Sequence, residues 1–68
     1  MTRTIEIIRN TLILQKQVLE QELEEIINSN NGKVGKRVDR GIEILKSISE
    51  VDSTQKTLDS YINNNNTE

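Results

Sequence analysis

The chain contains no cysteine, histidine, proline, phenylalanine, tryptophan or alanine, and Tyr61 is its one aromatic residue. Each absence closes a route. Without cysteine there is no disulfide staple and no thiolate to bind a metal or attack a substrate. Without histidine the usual general base at neutral pH is missing, and the hydroxyl residues fall at expected caps, loops and helix surfaces with no recognisable base beside them. No catalytic residue, cofactor or metal site is therefore assigned, and the expectation is a protein that is not an enzyme. The lack of rings also removes the platform on which single-stranded bases stack. The longest apolar run is Leu12-Ile13-Leu14, far short of the ~20 residues needed to span a bilayer, and the N-terminus lacks the apolar core of a secretory signal. These features predict a soluble protein with no membrane partner, placed in the cytoplasm of a bacterium or, if viral, of a host cell. Acids and bases are both abundant and the net charge is −2, so any attraction for nucleic acid must be local.

What is present is helical patterning. Residues 4–28 read as one helix that is apolar on two opposite sides. At about 100° per residue, Ile5, Ile8, Leu12, Leu19, Leu23, Ile26 and Ile27 share a sector of roughly 100°, the width of a core-facing stripe. On the far side, Ile7, Thr11, Leu14 and Val18 form a second row. A chain of 68 residues cannot shelter both stripes, because small domains bury a smaller share of their surface than larger ones. The second row is thus expected to be an interface with another copy of the chain or with another protein. Gln15 and Glu22 at the stripe's edges, with Arg9 and Lys16 near its other rim, read as rim residues whose stems cover apolar surface. The alternative for Gln15 is a buried polar residue that sets register in an oligomer.

Thr4 is the expected N-cap, with Thr2 competing, and Glu6 favours the positive first turn. The boundary is Asn28-Ser29-Asn30-Asn31-Gly32, whose residues tolerate turn geometry and end in a glycine suited to a helix C-terminus. A second helix follows over about 34–51, with Val34, Val38, Gly41, Leu45 and Ile48 as its facing stripe. A turn over 29–33 is short enough to fold the helices back antiparallel. Gly41 on that stripe either permits close approach of two backbones or is merely tolerated, at about 1 kcal/mol relative to alanine. Ile44, Ile48, Val51, Gln55, Leu58 and Ile62 continue the four-three spacing. Asp52-Ser53-Thr54-Gln55, however, resembles a fresh capping box and favours a break there, with a short helix over 53–62 instead of a continuation. Asn63 to Glu68 are expected to be a disordered polar tail. The predicted fold is a single all-α domain over 1–62, an antiparallel hairpin assembling into an oligomeric helical bundle.

Two charged groups flank the turn. Glu20, Glu22, Glu24 and Glu25 form the acidic one. Glu20 and Glu24 share a helix face, yet a hard cation needs a cage of oxygens and no matching acidic pair is evident, so a solvated face is expected. Lys33, Lys36, Arg37 and Arg40 form the basic one, at a helix start where positive charge opposes the dipole. Folding at the turn lets the two groups pair with each other. The functional alternative is that Gly32 to Arg37 present amides and bases to a phosphate of nucleic acid or of a nucleotide. The spacing is not that of a Walker loop.

Ile5-Glu6-x-x-Arg9-x-x-Leu12-Ile13 and Val38-Asp39-x-x-Ile42 resemble the small two-helix aspartyl-phosphate phosphatases that act on sporulation response regulators. That family's signature reads Ser-Gln-Glu-Leu-Asp, and Gly35-Lys36-Arg37-Val38-Asp39 stands in its place here, keeping the aliphatic residue and the acid. The resemblance implies a two-helix hairpin and, as a minor alternative function, a phosphatase-like regulator in which Asp39 is the residue to test. The main expectation is a small regulator, inhibitor or assembly adaptor of phage or bacterial accessory type, binding itself and another protein through Ile7, Thr11, Leu14 and Val18. The second is nucleic-acid or nucleotide binding through Lys33, Lys36, Arg37 and Arg40.

Overall fold

A computed structural model describes residues 2–29 and 33–65, which form two helices, α1 (Thr2–Asn28) and α2 (Val34–Asn65), packed against each other. The interhelix ion pairs give the direction. Arg9 meets Asp59, Lys16 meets Asp52 and Glu22 meets Arg40, so partners descend along α2 as they ascend along α1, and the helices are antiparallel. The hairpin is a rod of 54 × 17 × 12 Å. Its radius of gyration is 15.9 Å, against about 11 Å for a compact domain of this length.

α1 begins at Thr2, two residues before the expected start, which places Thr4 inside the first turn rather than at the cap. At its other end Ser29 N–H donates to the Ile26 carbonyl, a tightened last bond of the kind that satisfies helix-end carbonyls. Gly32, expected just past the helix C-terminus, and the expected turn residues Asn30 and Asn31 lie outside the described residues. α2 opens with Arg37 N–H donating to the Lys33 carbonyl at 3.2 Å.

α2 runs without a break through 52–55, so the third helix weighed from the sequence is a continuation. The cap-type side chains there are engaged elsewhere. Asp52 takes Lys16 of α1 at 2.8 Å. Thr54 and Thr57 donate their hydroxyls to the carbonyls of Glu50 and Ser53, four residues back, a bond that needs the helix to continue. Asn63 to Asn65 form the last turn of α2, not a disordered tail; residues 66–68 lie outside the described residues.

The contact between helices uses Ile5, Leu12, Leu19, Leu23 and Ile26 from α1 against Gly41, Ile44, Ile48, Val51, Gln55, Leu58 and Ile62 from α2, all half-buried or buried. Ile44 is 1% exposed, the one fully buried hydrophobic side chain among the described residues. Two corrections follow for the predicted stripes. Ile8 and Ile27, assigned to the core side of α1, are 43% and 69% exposed, and Val34, Val38 and Leu45, assigned to the facing stripe of α2, are also exposed. α2 is rotated so that the line 41–44–48–51–55–58–62 faces α1. That line runs the length of the helix and buries more apolar contact than a stripe ending at Ile48.

Candidate interaction surfaces

Two helices side by side present two broad faces, and a residue's face follows from its angle around its helix. In α2, Leu45 and Ser47 flank the buried Ile44 direction on opposite sides, and in α1 Val18 and Ile27 flank Leu19 in the same way, at about 100° per residue. The first face therefore carries Val18 and Ser47, and the second carries Ile27 and Leu45.

The predicted row lies on the first face. Ile7, Leu14 and Val18 are 56%, 59% and 54% exposed. Thr11, between them, donates its hydroxyl to the Ile7 carbonyl at 2.7 Å, which satisfies the polar atom within the helix and leaves the methyl group to join the row. Thr54, toward the same face of α2, is bonded in the same manner at 2.7 Å. Beside the row the helices enclose an open groove of about 570 Å³, bounded by Leu14, Gln15, Val18, Ser47, Glu50 and Val51. Gln15 is exposed at its edge, as a rim residue rather than a buried polar one. Toward the turn this face becomes ionic, with Arg40 held by Glu22 at 2.9 Å and by Glu43 at 3.4 Å.

The second face has the opposite order. Away from the turn it carries Lys16–Asp52 at 2.8 Å and Arg9–Asp59 at 3.7 Å. The Lys16 amine is held above its ordinary value of 10.5, first by its hydrogen bond to Asp52, then by that carboxylate's charge, with Glu20 adding to the effect and desolvation opposing it. Near the turn, Ile27, Val34, Val38, Ile42 and Leu45 are all exposed, around a groove of about 360 Å³ that also touches Gly41. The sequence pattern places Ile27 and the valines in the hairpin core and so does not single out this patch as a surface. The usable signal was the longer line through Ile44 to Ile62, which displaces the shorter one.

The basic turn is partly engaged within the hairpin. Arg40 pairs with Glu22 and Glu43, and the Arg37 guanidinium donates to the Ser29 carbonyl. Arg37 Nε is buried with no hydrogen-bond partner among the described residues. Lys33 and Lys36 are exposed. Of the expected pairing across the turn, Arg40 with Glu22 is thus present, while Glu20, Glu24 and Glu25 make no ion pair with the basic group among the described residues. No group of three or more metal-ligating side chains occurs among those residues. Asp39 is exposed on α2. No helix among the described residues is long and apolar enough to cross a membrane. No protein-family model, curated protein or solved structure matches the chain.

Proposed function

We propose that this chain is a small non-enzymatic protein-binding regulator or assembly adaptor that acts as a homo-oligomeric helical bundle, joined through Ile7, Thr11, Leu14 and Val18. The observation that carries the reading is the exposure of Ile7, Leu14 and Val18, each more than half open to solvent and aligned on one side of α1. Because little more than half of each side chain remains open to water, complete burial by a partner would contribute about 1–2 kcal/mol for each, from the roughly 1.5–3 kcal/mol of a fully exposed one. A thin core strengthens the case, since a hairpin with one fully buried hydrophobic side chain among the described residues gains from any added apolar contact.

The test is to change Ile7, Leu14 and Val18 together to Gln and measure mass by light scattering coupled to size exclusion. The native chain is expected above its single-chain mass of 7.8 kDa, and the triple variant at or near it. Helicity in the variant should persist at low temperature, because the row lies at the edge of the α1–α2 contact and outside its half-buried line. A native protein of single-chain mass at high concentration, or a variant with unchanged mass, would overturn the reading.

A further inference from the structure

We propose that two copies of the chain pair α1 against α1 in antiparallel orientation, about a twofold axis that passes between the two α1 helices at the level of Leu12 and Ile13. Ile7 then meets Val18 of the second copy, and Thr11 meets its Leu14. The inference rests on the row being a self-association surface, and it adds the orientation and register of the subunits.

Three observations lead to it. The row is spaced four, three and four residues apart, which reads identically in both directions. A helix face with that symmetry is complementary to its own reversed copy, as an interface between two identical surfaces about a twofold requires. The layers formed, large against large at the ends and Thr11 against Leu14 twice in the middle, alternate side-chain size across the contact.

Charge selects the same orientation. Before the axis α1 carries Arg3 and Arg9 against Glu6, and after it Glu20, Glu22, Glu24 and Glu25 against the single base Lys16. Arg9 and Lys16 are held by Asp59 and Asp52 on the second face. Arg3, near the rim of the row, makes no ion pair among the described residues, and neither does Glu25. Antiparallel pairing sets Arg3 level with Glu22 of the second copy, which Arg40 already holds at 2.9 Å, and within one turn of that copy's Glu25, the carboxylate it would meet. Parallel pairing would place Arg3 against Arg3 and Glu25 against Glu25, a like-charge arrangement that disfavours the wrong partner geometry.

Area is the third. The chain exposes 5660 Å², whereas a compact monomer of this mass exposes about 4,400 Å². The difference exceeds the ~800 Å² that one partner contributes to an interface of standard size. The groove bounded by Leu14, Val18, Ser47 and Val51 gives the row of the second copy a seat between α1 and α2, so both helices contribute to the contact.

The absence of cysteine makes orientation directly measurable. Ile7→Cys and Val18→Cys would be made in chains of distinguishable mass, mixed, allowed to exchange and oxidised. Antiparallel pairing predicts the mixed disulfide in at least tenfold excess over either homodisulfide. In that register two copies of residue 18 lie eleven residues apart along the contact, about 17 Å at 1.5 Å per residue, and a disulfide needs Cα atoms within about 7 Å. Preferential homodisulfides would overturn the orientation while leaving self-association intact, and a single-chain mass for the native protein would overturn both. As a second measurement that leaves the row untouched, Arg3→Glu and Glu25→Arg should each raise the dimer dissociation constant two- to fivefold at low salt. The double variant should return to within twofold of native. Additive losses in the double variant would also overturn the proposal.

Discussion

Replacing Gly41 by alanine tests how the hairpin is held together, because the sign of the effect depends on what the glycine is for. If α1 and α2 approached backbone to backbone at this point, an added methyl group would force them apart. In the structure a Cβ at Gly41 meets nothing within 4 Å, although the residue lies half-buried on the side of α2 that faces α1, one turn before Ile44. The steric term is therefore absent and the backbone term remains. Alanine in place of glycine inside a helix is worth about 0.8–1 kcal/mol, chiefly because the unfolded chain loses freedom. For a domain of 60–100 residues, 1 kcal/mol moves the thermal midpoint by roughly 4–8 °C. Gly41→Ala should therefore melt several degrees higher, followed by circular dichroism at 222 nm with both proteins at one fixed concentration, since association makes the midpoint concentration-dependent. A lower midpoint would refute the argument, and would mean that the interhelix spacing at Gly41 is closer than described or that another molecule occupies the position.

The core makes a second prediction. Ile44→Ala empties the most deeply buried side-chain position, at a cost of about 2–5 kcal/mol, a large share of the stability of so thin a hairpin, and helicity at 25 °C should fall markedly in circular dichroism. Retained native helicity and melting would show that Ile44 does not anchor the contact. A third concerns alkaline pH. Lys16 is held above 10.5 by Asp52, so folding favours its charged form. The resulting stability is fully present below the unfolded lysine value and is lost as pH rises through the higher folded value. Relative to Lys16→Gln, the native chain should therefore lose extra stability above about pH 10.5, and parallel pH profiles of the two melting midpoints would refute the role given to the Lys16–Asp52 pair.

Much of the hairpin is legible from residue spacing alone, and the failures are instructive. The extent of α1 is set by an uninterrupted apolar period closed by Asn28 and Ser29, both strong local signals. The outward position of Leu14 and Val18 follows from the same geometry. The orientation of α2 does not. Val34, Val38, Gly41, Leu45 and Ile48 make a regular stripe, and so do Gly41, Ile44, Ile48, Val51, Leu58 and Ile62. The two share Gly41 and Ile48, and local periodicity cannot choose between them. The choice is made by α1, whose length offers contact along all of α2, and the longer stripe wins. Arg37 disguises it further by occupying a half-buried position near its beginning where an aliphatic residue would have announced the line. The apparent break at Asp52 fails for a related reason. A capping box is a local preference worth about 1 kcal/mol, and it is outweighed when Asp52 reaches Lys16 and the threonines bond backwards onto an existing helix.

The rotation of α2 has a consequence for how the surfaces can be used. Each helix buries one stripe and leaves another exposed, but the exposed stripes point in opposite directions, Ile7 to Val18 onto the first face and Val34 to Leu45 onto the second. Their positions along the rod are also staggered, because Glu22–Arg40 occupies the turn end of the first face while Lys16–Asp52 and Arg9–Asp59 occupy the far end of the second. The ion pairs are exposed and individually weak. Their larger effect is to fix the register of the hairpin and to bound each apolar patch at one end. A single copy lying across the first face cannot also reach Val38 or Ile42, so the proposed pairing of α1 helices leaves the second patches uncovered, on outer sides and near opposite ends of the dimer. The two surfaces share no residue and are separable by substitution: changes at Leu14 act on one, changes at Val38 on the other, and neither passes through Ile44, the side chain buried between the helices.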